Sequence, residues 1–105
     1  MLLVKFESNY ADEFDVQGFK LYKSYNEYQE ELADYLDVCL DDGQDISSHE
    51  DLPERVCVCV GTNSEIEFDD VHEFLNSFIH TEIDKAMYNF IESTFGYEYG
   101  LFPLR

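Results

Sequence analysis

Met1 to Glu7 sets Val4 and Phe6 alternately with Lys5 and Glu7, and a strand-like pattern resumes from Phe14 to Tyr22. A period of two puts successive side chains on opposite faces of a strand. The two runs predict a β-hairpin, with Gly18 as a bulge. The period then lengthens. Ser24-Tyr25-Asn26-Glu27 has the form of a capping box, in which the serine oxygen accepts from an early N–H and the glutamate reaches back. A helix is predicted from there to about Leu40, stopping near Gly43. At about 100° per residue, Tyr25, Tyr28, Leu32, Tyr35, Leu36, Cys39 and Leu40 share one side. Glu27, Glu30, Glu31, Asp34, Asp37 and Asp41 share the other, and only Val38 is misplaced.

Asp41 to Glu54 sets Asp41, Asp42, Asp45, Glu50, Asp51 and Glu54 among Gly, Ser and Pro, the composition of an exposed acidic loop. Arg55 to Val60 is apolar on both faces, as in a central strand covered on each side. Gly61-Thr62-Asn63-Ser64 turns into Glu65 to Asp69, where Ile66 and Phe68 face inward and the acids outward, as on an edge strand. Asp70-x-x-Glu73 opens a helix with Val71, Phe74, Leu75 and Phe78 on its core side. Thr81-x-x-Asp84 resembles another start, as a separate helix or as the second half of one bent helix, in which Ile83, Ala86, Met87 and Phe90 continue a buried stripe up to Gly96. The tail from Tyr97 packs as an irregular strap. Tyr97, Tyr99 and Phe102 in it are half exposed and available as a contact. The order β-β-α-β-β-α-α predicts one α+β domain over residues 1–105: a mostly antiparallel four-stranded sheet with about three helices packed on it.

Charge alters this otherwise ordinary picture. The 105 residues carry 24 acidic and 6 basic side chains, a net charge of −18. Direct binding to nucleic acid or to an anionic membrane is disfavoured, since the field of the whole molecule repels both. With 45% apolar residues the chain is nevertheless too hydrophobic to stay unfolded. No run approaches the length of a membrane span, and neither a signal peptide nor an anchor is read at the N-terminus. The three cysteines, two of them in Val56-Cys57-Val58-Cys59-Val60, form no disulfide framework. They read as small buried apolar residues in a reducing cytosol.

Catalytic and metal-binding patterns are not met. His49, His72 and His80 form no His-Glu-x-x-His motif, there is no Cys-x-x-Cys, and the run Asp41 to Asp45 lacks the calcium-loop order. Gly-x-Ser-x-Gly and glycine-rich phosphate loops are absent too. So many carboxylates make any chosen acid pair uninformative. The expectation is a protein that is not an enzyme and takes no metal or cofactor, with a small hydrolase or metal-dependent enzyme the weakest of the alternatives.

Between Ser24 and Asp84 there are 18 acids and one base, Arg55, a local charge of −17 that leaves −1 for the two flanks together. A uniform solubilising coat would not be so uneven. From Glu27 to Asp41 a helix rises about 21 Å and carries six carboxylates, one per about 3.5 Å. A single DNA strand presents one phosphate per about 3.4 Å. An ordinary solvated face mixes in Lys and Arg to gain i,i+4 pairs, and this one has none. In size, charge and α+β make-up the chain resembles the small phage-encoded DNA-mimic proteins that block restriction enzymes, CRISPR effectors or other nucleic-acid-binding proteins, without a shared motif.

The resemblance implies a non-enzymatic, cytoplasmic inhibitor whose partner is a basic nucleic-acid-binding protein. Glu27, Glu30, Glu31, Asp34, Asp37, Asp41, Asp42 and Asp45 would form its binding surface, and Glu65, Glu67, Asp69, Asp70 and Glu73 a second acidic patch. It also allows a homodimer, although the outward acids of Glu65 to Asp69 oppose pairing along that strand. The alternative is an acidic or immunity-type module for a basic partner that need not bind nucleic acid.

Overall fold

A computed structural model of the chain describes residues 1–8, 16–41, 44–60, 64–100 and 102–104. Strands β1 (Leu2–Ser8) and β2 (Val16–Tyr22) pair antiparallel in unbroken register, Leu2 opposite Tyr22 and Phe6 opposite Gly18. Gly18 is therefore not a bulge. It lies in regular register between Phe6 on one side and Gly100 on the other. Phe14, at the predicted start of the second run, lies outside the described residues, as do Gly43 and the predicted turn at 61–63.

The molecule is α+β, in the predicted order with two strands added. Helix α1 (Tyr25–Leu36) is followed by a 3₁₀ turn (Ile46–Ser48), β3 (Val56–Val60), β4 (Ser64–Phe68) and helix α2 (Val71–Asn76). Then come β5 (Phe78–Glu82), helix α3 (Lys85–Phe95) and β6 (Glu98–Gly100). The four-stranded antiparallel sheet has the order β5-β1-β2-β6, while β3 and β4 form a separate two-stranded ribbon. The second helical region is thus two helices parted by a strand. Phe78 opens that strand, and Thr81 lies within it opposite Leu3. The β-branched Ile79 and Thr81 suit a pleated strand better than a helix. The tail, read as irregular, contributes β6, and Phe102 and Leu104 beyond it are buried.

One face of the main sheet carries Leu2, Val4, Phe6 and Tyr22. These pack with Tyr28, Leu32 and Leu36 of α1, with Val56, Val58, Ile66 and Phe68 of the ribbon, and with Phe74. Phe74 is the hub. Its fully buried ring meets Phe6 at 6.5 Å, Phe68 at 5.6 Å, Phe78 at 5.1 Å and Tyr35 at 5.7 Å between centroids.

The ribbon corrects the reading of residues 55–60 as a strand covered on both faces. Val56 and Val58 are buried, but Cys57 is exposed opposite Glu67, as is Cys39 elsewhere. Val and Cys both count as apolar, so their alternation hid an amphipathic strand. The glutamates paired with it carried the signal. The predicted burial of Ile66 and Phe68 in β4 is observed.

Helix α1 begins at the predicted serine cap, with the Ser24 hydroxyl accepting the Glu27 N–H at 3.2 Å. It ends four residues before Leu40. Asp37 adopts the left-handed conformation (φ 57°), and the Val38 N–H donates to the Ala33 carbonyl at 3.0 Å. A continuing helix would have held Val38 on the acidic side. Reversing the chain at Asp37 lets Val38 and Leu40 pack against the core and leaves Cys39 exposed. A non-glycine residue in this conformation costs about 1 kcal/mol, and a carboxylate at a helix C-terminus opposes the dipole. Asp37→Gly should accordingly raise stability by about 1 kcal/mol, read as an upward shift of the urea midpoint. A downward shift would mean that the Asp37 side chain stabilises the turn.

Burial raises the hydroxyl pKa of Tyr22 and Tyr28, and the nearby Glu31 carboxylate adds to the effect at Tyr22. The folded state therefore holds these protons more tightly than the unfolded chain, whose tyrosines titrate near pH 10. Stability from this source is complete below about pH 10 and declines above it. Unfolding free energies should fall by roughly 2 to 3 kcal/mol between about pH 9 and pH 11, with the tyrosinate absorbance of these two residues appearing only as the chain unfolds. Absorbance that rises in the folded protein beyond the contribution of the other tyrosines would contradict the burial of both rings.

Candidate acidic interface

Residues 27, 30 and 34 fall on one line of α1 because successive spacings of three and four residues straddle the helical repeat. Glu27, Glu30 and Asp34 are exposed there, and Asp37, the C-cap one turn further on, is exposed too. Among the described residues none of these four carboxylates has an ion-pair partner. The line spans about 15 Å and sets its four carboxylates about 5 Å apart, against about 4 Å between neighbours for the six of the 21 Å stripe the sequence predicted. It is shorter because α1 ends at Leu36.

Glu31 leaves the stripe. Lys20, on the helix-facing side of β2, holds its ammonium over the Tyr22 ring, 5.3 Å from the centroid, and pairs it with Glu31 in a half-buried ion pair. That carboxylate is neutralised within the molecule. Asp41 is exposed and joined to Gln44 through two hydrogen bonds, its N–H to Gln44 Oε1 at 3.2 Å and its carbonyl from the Gln44 N–H at 3.0 Å. Asp42 lies outside the described residues. Asp45 caps the 3₁₀ turn, accepting from the Ser47 N–H at 3.0 Å and the Ser47 hydroxyl at 2.9 Å.

The acidic loop is held in place by polar side chains. Gln29, buried on α1, accepts the Ile46 N–H at 2.7 Å and donates to the Tyr25 hydroxyl at 2.9 Å. His49 bonds the Cys39 carbonyl at 2.7 Å through Nε2 and accepts the Asp51 N–H at 3.0 Å through Nδ1, which makes it a neutral Nε2–H tautomer. Where Asp45 meets α1, Tyr25, Tyr28, Asp45, Asn76 and His80 line an open cavity of about 260 Å³. The ring centroids of Tyr25 and His80 are 5.2 Å apart, and the Tyr25 hydroxyl reaches Asp45 at 3.5 Å. An aromatic wall beside a carboxylate suits a cationic side chain. Tyr25 is thereby corrected from a core residue to a half-exposed one, as is Tyr35, whose ring stacks on Phe74. The sequence held one clue to this cleft: Gln29 falls on the apolar arc, where a polar residue must find buried partners. His80, brought in by β5, gave none.

In the second patch Glu65 and Glu67 project from β4, but Glu67 pairs with Arg55 at 3.5 Å, and Glu65 accepts from the Cys57 thiol at 3.5 Å. Asp70 caps α2 by accepting the His72 N–H at 2.9 Å, and Asp69 and Glu73 are exposed. Asp69 and Asp70 face Glu50 and Glu54 across an open cleft of about 520 Å³ that also includes His49 and His72. Among the described residues no three His, Cys, Asp or Glu side chains converge to hold a metal ion.

No family model matches the chain, and comparison with curated proteins and with solved structures gives no match. Among the described residues no helix is long and apolar enough to cross a membrane.

Proposed function

We propose that this protein is a non-enzymatic cytoplasmic inhibitor that occupies the basic nucleic-acid groove of a target, such as a nuclease, restriction enzyme or CRISPR effector, by presenting carboxylates in place of phosphates. The observation that carries the proposal is the row of Glu27, Glu30 and Asp34 on the outside of α1 with Asp37 at its end, none of them ion-paired among the described residues, within a segment that holds −17 of the −18 charges. Like charges three and four residues apart repel by a few tenths of a kcal/mol per pair. A helix that keeps them without one compensating Lys or Arg suits a surface completed by another molecule's cations. Asp41 and Asp45 extend this surface along the loop. The cleft beside Tyr25 and Asp45 supplies a socket for one Lys or Arg, and so a contact that depends on shape as well as charge.

The second reading is a basic partner that binds no nucleic acid. The spacing of about 5 Å, wider than that of phosphates along a strand axis, favours it. Competition separates the two. Partner captured on the immobilised protein at low salt should be released by excess duplex DNA or RNA if the groove is shared. A partner that stays bound under saturating nucleic acid, or that binds none, would replace the first reading with the second.

A further inference from the structure

Helix α3 is amphipathic in a direction that its own fold uses only in part. Leu3, Lys5, Phe19, Leu21, Ile79 and Tyr99 share the second face of the main sheet through their register. Phe95 of α3 packs on that face, edge-on to Phe19 at 6.1 Å and against Tyr99 at 5.5 Å. Tyr88 is the only buried residue of the helix. The sequence predicted Ala86, Met87 and Phe90 to be buried. All three are exposed, and Ile83 is half-buried. Met87, Phe90, Phe95, Tyr97 and Tyr99 are each between 49% and 61% exposed.

From these observations we infer that the outer face of α3, with Tyr97 and Tyr99 beside it, is the interface of a two-fold homodimer. Two arguments select a second copy as the occupant. The first is charge. Residues 85–100 contain one base, Lys85, and two acids, Glu92 and Glu98, so this is a nearly neutral apolar region on a molecule of charge −18. It offers no row of carboxylates to a basic partner, and the net charge repels an anionic membrane. Its own counterpart is equally apolar and neutral, and a two-fold axis through α3 joins like patch to like patch. The second argument is area. Large side chains of this kind cover roughly 150–250 Å² each, so five that are half exposed present on the order of 500 Å² per copy. Two copies would bury about 1,000 Å², the lower bound for a specific interface, and a patch of this size lies near the upper limit for a monomer. Met87 and Phe90, three residues apart and both exposed, lie on one ridge of this outer face, as helix packing needs.

Sedimentation equilibrium of the intact protein from about 1 to 100 µM, the range in which such an interface associates, should show a monomer–dimer equilibrium. It should strengthen at about 0.5 M NaCl as salt screens the repulsion between copies. Phe90→Glu should weaken the dimer at least about 10-fold. Asn89→Glu, which adds the same charge on the polar side of α3, should leave it within a few-fold. Circular dichroism identical to that of the parent protein establishes that both variants fold. A protein that stays monomeric across this range in high salt would overturn the inference, as would equal weakening by the two variants. The outcome is independent of the proposed target: binding to a basic partner weakens with salt, whereas the dimer strengthens.

Discussion

Replacing Glu27, Glu30 and Asp34 together by Gln, Gln and Asn is expected to weaken binding to the captured basic partner by roughly 10- to 100-fold at low salt. Exposed ion pairs contribute up to about 1 kcal/mol each, and three lost together correspond to about 1.4 to 2.7 kcal/mol, or that range of affinity. Much of the loss should fall on the association rate, because these charges steer the encounter. The difference between parent and variant should shrink as salt rises. The same substitutions should leave the fold intact and raise its stability by a few tenths of a kcal/mol for each repelling pair removed, since among the described residues none of the three is ion-paired. Neutralising Glu31 instead would unpair Lys20 and lower stability, so it is the wrong residue with which to test the surface. Unchanged affinity in the triple variant would remove α1 from the interface.

Phe74→Ala should cost about 3 to 5 kcal/mol, a large part of the total stability of a domain this size. The cost is high because the ring belongs to no single layer. It meets Phe6 and Phe78 of the main sheet, Phe68 of the ribbon and Tyr35 of α1, and α2 itself is only six residues long. Without it, these four rings face a cavity. Urea unfolding followed by far- and near-ultraviolet circular dichroism would measure the loss. A change below about 1 kcal/mol would mean that ribbon and sheet do not depend on a shared core.

The serine cap, the first three turns of α1 and the acidic side were legible, because capping and helical periodicity are local effects. The end of the helix was signalled by Val38, the one residue on the wrong side, although its meaning depended on a core that the pattern alone did not locate. Phe78 to Glu82 was misread for the opposite reason. In that segment an apolar run sits between two helices, and what makes it a strand is hydrogen bonding to β1, more than seventy residues earlier in the chain.

The sequence by itself determined the α+β composition, the confinement of charge to residues 24–84 and the identity of most buried positions on α1 and β4, since these follow from side-chain chemistry and local period. Only the tertiary structure decided that the four-stranded sheet recruits β5 and β6 while β3 and β4 stand apart. It also decided that Lys20 takes Glu31 out of the acidic line, that Tyr25, Asp45 and His80 share one cleft, and that Met87 and Phe90 face outward. Each of these depends on which distant segment comes to lie alongside, and that is settled by how the available apolar surface is divided among competing faces. An amphipathic pattern states that a face is apolar; it does not state whether that face is covered by the same chain or by another.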